Sequence, residues 1–194
     1  MTKRRPPGDP SGLPDVSSPP LPPPTQPSPS PLPMIKGGTW VAIDANILIY
    51  ANQRRSLECI SFLERCASGE LQGVVPLPMV AELVHALMLI EARENNWIER
   101  ANPARALAER PDLVRRLSRY EIRMREFFAM GLRIEPVGKI DILEAMRIQR
   151  EAGLLTNDAL LLACARRLSC EAVVSADRAV ARAPGFAVFA PTDI

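Results

Sequence analysis

Residues 40–50 read Trp-Val-Ala-Ile-Asp-Ala-Asn-Ile-Leu-Ile-Tyr. The apolar run 40–43 predicts a short buried strand, which ends where Asp44 begins. A second apolar run follows the acid, and we expect it to form a helix over 45–53. A buried strand that passes through an acidic residue into a helix is typical of folds in which helices cover a parallel sheet.

The same alternation continues along the chain. Further strands are predicted over 73–75, 132–137, 171–174 and 186–189. Further helices are predicted over 57–68, 79–95, 111–131, 140–152 and 156–168. These elements predict an α/β fold with three layers, α/β/α, and a central parallel sheet.

The first 37 residues differ in composition from the rest, because they hold 13 of the 20 prolines. We expect a disordered or polyproline-like arm over 1–37 and one domain over 38–194. The arm could serve as a spacer or as a ligand for a proline-binding domain. Translation could also start at Met34, which would leave most of the arm untranslated.

Composition excludes several classes of protein. The chain has 194 residues, 47% of them hydrophobic, and a net charge of +2, which favours no class of partner. With four cysteines, no Cys-x-x-Cys pair and a single histidine, His85, a zinc site is not expected. We expect free thiols and a cytoplasmic protein, because the sequence has no secretory signal and no apolar run of roughly 20 residues.

Four acidic residues stand at strand ends or helix starts: Asp44, Glu82, Asp158 and Asp177. Singly, each could be a turn residue or a solvated helix charge. In open α/β sheets, however, ligands bind beyond the carboxyl ends of the strands, so we expect the four acids to share one pocket. Carboxylates crowded together repel one another unless a cation is present, and oxygen ligands of this kind suit Mg²⁺ or Mn²⁺. One ion or two could serve.

Four motifs in order carry a family resemblance. They lie at 44–50, 80–87, 153–163 and 173–178, and each contains one of the four acids. Together they resemble the motifs of PIN-domain nucleases, of which the VapC-type toxins are the most similar branch, over about residues 39–192. Two departures are Ala45, where a small hydroxyl residue is common, and Arg178-Ala179-Val180, which lacks an aromatic side chain.

The resemblance implies a site and a chemistry. Asp44, Glu82, Asp158 and Asp177 would be catalytic and would bind Mg²⁺ or Mn²⁺. Asn46 and Ser175 match polar positions that support the metal-binding groups. The implied activity is metal-dependent hydrolysis of RNA by a toxin of a type II toxin–antitoxin system. Its partners would be an RNA substrate, a cognate antitoxin and a second copy of the chain in a homodimer, with no membrane.

Other polar residues have weaker assignments. Arg116, Arg119 and Arg123 form a stripe on the predicted helix 111–131, which could hold an RNA backbone or could simply face solvent. Thr156 or Asn157 could cap the helix that carries Asp158. His85 is expected to be structural.

Two alternatives to a ribonuclease stay open. The chain could be a catalytically silent PIN-like scaffold that binds RNA in an RNA-processing assembly, although all four acids are present. It could also be a phosphohydrolase of another α/β family that begins with an aspartate after a strand. Residues 44–46, Asp-Ala-Asn, lack the second acid typical of such enzymes, so this alternative is disfavoured.

Overall fold

A computed structural model describes residues 28–99 and 101–194. In this part of the chain one sheet has six strands in the order β1-β6-β5-β2-β3-β4, and all neighbouring strands are parallel. The strands are β1 Ser30–Pro31, β2 Trp40–Ile43, β3 Gln72–Pro76, β4 Arg133–Glu135, β5 Ala172–Val174 and β6 Ala187–Ala190.

Helices flank this sheet and complete the three-layer α/β/α fold that the sequence predicted. They are α1 Ala45–Asn52, α2 Leu57–Ala67, α3 Leu77–Glu94, α4 Pro103–Ala108, α5 Pro111–Val114, α6 Arg119–Ala129, α7 Lys139–Ala152 and α8 Thr156–Arg167. Short 3₁₀ turns occur at Leu32–Met34 and Arg178–Arg182. Helix α8 packs on α7 and on β2, which explains why all residues from 159 to 165 are buried.

The predicted long helix 111–131 is wrong, because the chain between α5 and α6 is not helical. A buried glutamate of α3 accounts for the break. Glu91 is 4% exposed, and its carboxylate accepts hydrogen bonds from the backbone nitrogens of Ser118 at 2.9 Å and Tyr120 at 2.8 Å. These N–H groups have no partner inside α6, so the carboxylate stabilises a new helix start.

Packed structure begins before the predicted domain start at residue 38. Strand β1 pairs with β6, and Leu32 is only 1% exposed. The Arg65 guanidinium of α2 donates a hydrogen bond of 2.6 Å to the carbonyl oxygen of Ile35. The remainder of the predicted arm, 1–27, lies outside the described residues, so the division into arm and domain stays a prediction.

Within the described residues, no helix combines the length and the apolar character that crossing a membrane requires. The four cysteines are buried free thiols. Burial raises the pKa of each thiol, to about 11 for Cys59, Cys164 and Cys170 and to about 12 for Cys66. These side chains therefore contribute to the core as small apolar groups.

An ionic cluster joins the end of α8 to β4 and α7. Arg167 donates hydrogen bonds of 2.7 Å to Asp141 and 2.7 Å to Glu135, and both carboxyl groups are buried. Hydrogen bonding to Arg167 is the main cause of the lowered pKa of Glu135. A carboxyl group with a lowered pKa stabilises the fold at neutral pH and loses that contribution as the pH falls below about 4.

Replacing Arg167 by Met should therefore destabilise the protein by about 3 kcal/mol, because buried carboxylates lose their cation. Urea denaturation at pH 7 measures this change, and the difference from the unaltered protein should shrink in acid. Arg105→Met is the matched control, because its ion pair with Glu109 lies in solvent and should contribute less than about 1 kcal/mol. Equal stabilities for the two variants would contradict a structural role for Arg167.

Candidate functional site

The parallel sheet brings two of the acids to one edge. Asp44 directly follows β2 and begins α1, while Asp177 lies just past β5 and begins a 3₁₀ turn. The two strands are neighbours, with Ile43 opposite Val174, so their carboxyl ends lie side by side. The helices supply the other two acids, since Glu82 lies in α3 and Asp158 in the first turn of α8.

All four predicted acids line one open cleft of about 510 Å³. Among the described residues, the lining consists of Asp44, Asn46, Glu82, Leu155, Thr156, Asn157, Asp158 and Asp177. Four of these eight side chains are acidic and none is basic. None of the four acids forms an ion pair with a Lys, Arg or His of the described chain. The cleft therefore concentrates negative charge, and the described residues supply no counter-charge inside it.

Hydrogen bonds hold Asp44 at the base of this cleft. Its Oδ2 atom accepts hydrogen bonds from Asn46 Nδ2 at 2.6 Å and from Ser175 Oγ at 2.5 Å. Ser175 is fully buried, and its Oγ atom also accepts a bond of 3.0 Å from the backbone nitrogen of Asp177. Asn46 Oδ1 accepts a further bond of 3.0 Å from the backbone nitrogen of Ala176. Asn46 and Ser175 thus connect the two sheet-edge acids.

Burial and mutual repulsion both act on these carboxyl groups. Asp44 is 6% exposed, and burial raises its pKa to about 6, although the hydrogen bond from Ser175 opposes this shift. The charges of Asp158 and Glu82 contribute to this raised pKa of Asp44. Burial also raises the pKa of Asp158, and the charges of Asp177 and Glu82 add to the effect. Burial and the neighbouring negative charges thus make ionisation of Asp44 and Asp158 less favourable.

The donor set fits a divalent cation that prefers oxygen ligands, such as Mg²⁺ or Mn²⁺. A cation that binds between carboxylates without a basic partner reduces the repulsion between their negative charges. Within the described residues, no three His, Cys, Asp or Glu side chains already converge closely enough to hold an ion. Binding would therefore require the carboxylates of the cleft to rotate towards one another.

The predicted capping of α8 by Thr156 or Asn157 is wrong. Leu155 occupies the cap position, and no side chain of the described residues caps the helix. Thr156 Oγ1 instead accepts a hydrogen bond of 3.3 Å from Gln149, and Asn157 Nδ2 donates one of 2.7 Å to Glu82 Oε2. This contact of Asn157 could not be predicted from the sequence, since nothing in a linear sequence pairs residues 75 positions apart.

The three arginines proposed to bind RNA lie outside the cleft. The guanidinium of Arg116 lies over the ring of Trp97, 4.6 Å from its centre. Arg119 and Arg123 form ion pairs with glutamates of α3 and α6. The break between α5 and α6 separates Arg116 from the other two, so they do not form a stripe on one helix; RNA binding by them stays a prediction. His85 is exposed on α3 and is likewise absent from the cleft lining.

A family model for the PIN domain matches residues 41–185, a span that includes all four acids. The chain belongs to the PIN domain family. This membership agrees with the order of the four sequence motifs and with the parallel sheet. A comparison with curated protein sequences finds no match.

A solved structure shares the fold of this PIN domain. The crystal structure of VapBC2 from Rickettsia felis, bound to a DNA fragment from its promoter, aligns with a TM-score of 0.53 at 14% identity, covering 78% of this chain and 98% of that one. A toxin–antitoxin complex from Klebsiella pneumoniae aligns with a TM-score of 0.44 at 14% identity, covering 72% of this chain and 87% of that one. At 14% identity, the VapBC2 structure indicates a shared fold and nothing about function. The TM-score of 0.44 for the second structure is too low to indicate a shared fold.

Proposed function

We propose that this PIN domain is a metal-dependent endoribonuclease, which hydrolyses phosphodiester bonds of RNA. The observation that carries the proposal is the cleft in which four acids gather and to which the part of the chain that the structure describes contributes no basic side chain. Membership of a nuclease family supports the same chemistry. A catalytically silent scaffold would have no need to keep a buried aspartate beside other carboxylates, where ionisation is unfavourable.

Asp44, Glu82, Asp158 and Asp177 would hold Mg²⁺ or Mn²⁺. When bound, such an ion stabilises developing negative charge at a phosphoryl group and makes water a better nucleophile. Asn46 and Ser175 contribute by fixing the orientation of Asp44. Because the pKa of Asp44 is about 6, a proton competes with a cation for this carboxylate at lower pH.

The direct test is cleavage of RNA by the purified protein with Mn²⁺, with Mg²⁺ and with EDTA. The RNAs tested should include structured transfer RNA and ribosomal RNA. We expect internal cuts with either metal and none with EDTA, and cleavage should return when metal is added in excess. If none of these RNAs is cut with Mn²⁺, the proposal is wrong; calorimetry showing no binding of Mn²⁺ would then favour the scaffold.

A protein partner belongs to the same proposal. We infer that the chain is the toxin of a type II toxin–antitoxin pair and is restrained by an antitoxin. The shared fold with the VapBC2 structure supports this idea. So does an apolar groove of about 280 Å³ between α1, α2, α3 and α6, whose lining includes Leu48, Leu63, Leu83, Leu87 and Phe127.

The partner is testable through the neighbouring gene. If a short adjacent reading frame encodes the antitoxin, its product should co-purify with this chain and suppress cleavage of RNA. A co-purifying protein that leaves cleavage unchanged would contradict the restraint.

We also propose a homodimer, since α7 exposes Ile140, Ile142, Leu143 and Met146. Light scattering should then give twice the mass of one chain.

A further inference from the structure

Glu82 differs from the other acids in how freely its carboxylate can move. It lies on an exposed part of α3, and a glutamate side chain has one more rotatable bond than an aspartate. Within the described residues, one side chain donates a hydrogen bond to it. Asn157 Nδ2 lies 2.7 Å from Glu82 Oε2, and this bond joins the first turn of α8 to α3.

Among the described residues, every group that donates a hydrogen bond to an acid side chain of this cleft is uncharged. An amide and a hydroxyl hold Asp44. The backbone nitrogen of Ala179 donates to Asp177 Oδ1 at 2.7 Å. An arginine or lysine in these places would compensate the negative charge and compete with a metal ion. Uncharged donors orient a carboxylate and leave its charge available to a cation.

The side chain of Asn157 has no other hydrogen-bonding role in the described chain. Leu155, not Asn157, occupies the cap position of α8, and Thr156 makes the contact to α7. Asn157 lines the same cleft as Glu82 and Asp158. Its amide is therefore placed to orient the Glu82 carboxylate beside Asp158, which directly follows Asn157 in the chain.

We infer that Asn157 is a positioning residue, whose side-chain amide holds the Glu82 carboxylate at the cleft so that it shares in binding a divalent cation. The inference rests on the proposed metal-dependent function. It adds Asn157 to the residues that the four sequence motifs assign, and it gives Asn157 no direct contact with the substrate.

A double-mutant cycle tests this role, with the dissociation constant of Mn²⁺ measured by calorimetry at pH 7.5 in the absence of RNA. Asn157→Ala should weaken Mn²⁺ binding about tenfold, because the unrestrained carboxylate must be ordered when the ion binds. In a Glu82→Ala background, the same substitution should change the affinity less than about twofold, since the group through which Asn157 acts is absent.

Gln149→Ala is the matched control, because it removes a neighbouring contact of the α8 terminus that involves no carboxylate. It should leave Mn²⁺ affinity unchanged, and the exposure of Asn157 means that Asn157→Ala should leave the unfolding temperature unchanged. Unaltered affinity in Asn157→Ala would overturn the inference, as would an equal effect with and without Glu82. If the unaltered protein binds no Mn²⁺, both the proposed function and this role of Asn157 are wrong.

Discussion

Asp44→Asn should reduce the rate of RNA cleavage by more than about 100-fold, which exceeds the usual loss for a residue that only supports a metal ligand. The substitution keeps the size of the side chain and an oxygen that can accept hydrogen bonds from Asn46 and Ser175. It removes the negative charge from the most buried of the four acids. Initial rates with a short labelled RNA in saturating Mn²⁺ measure the effect.

The control for this experiment is Asp112→Asn, the same chemical change outside the cleft. Asp112 is on α5 and pairs with Arg110 in solvent. Its replacement should change the cleavage rate less than about twofold. Cleavage by Asp44→Asn at the rate of the unaltered protein would show that the carboxylate of Asp44 takes no part in the reaction. The proposal that this cleft is the active site would then be wrong.

Asp44→Asn should also stabilise the metal-free protein by about 3 kcal/mol at pH 8. Burial raises the pKa of Asp44 from 3.8 to about 6, so the charged form is penalised in the folded state only. That penalty is complete above pH 6 and disappears as the pH falls towards 4, where the carboxyl group is protonated in the folded protein. The gain should therefore be large at pH 8 and small at pH 4, in urea denaturation with EDTA.

Two comparisons make this stability prediction specific. Glu144→Gln should show the opposite sign at pH 8, because hydrogen bonds from Arg147 and Arg166 lower the pKa of Glu144 to about 2. Saturating Mn²⁺ should stabilise the unaltered protein more than it stabilises the Asp44→Asn variant, since an ion that binds the folded state shifts the unfolding equilibrium. Lower stability of Asp44→Asn at pH 8 in EDTA would show that the ionised carboxylate is favoured by groups other than a metal.

The sheet edge could be predicted from the sequence because its signals are local. The apolar run before Asp44 predicted β2 at the bounds that the structure gives. Asp177 follows a second apolar run in the same way. Parallel strands present their carboxyl ends at one edge, so the two local patterns were enough to predict that these acids lie together.

Long-range contacts could not be predicted in this way. Apolar side chains recur at helical spacing from Leu113 to Phe127. This pattern gave no sign that Glu91, an earlier residue of α3, stabilises a new helix start at Ser118. The partner of Asn157 is equally remote in sequence. Proline-rich composition also concealed β1, although Pro31 is tolerated there because β1 is an edge strand with one neighbour.

Strand β1 is short, yet it has a practical consequence for producing the protein. A chain that started at Met34 would lack Ser30–Pro31 and Leu32, and the outer edge of β6 would lose its hydrogen-bonding neighbour. An uncovered edge invites strands of other molecules to add to the sheet, and the result is aggregation. Recombinant protein for the assays above should therefore retain the sequence from Ser28 onward, and precipitation of shorter versions would be a property of the truncation.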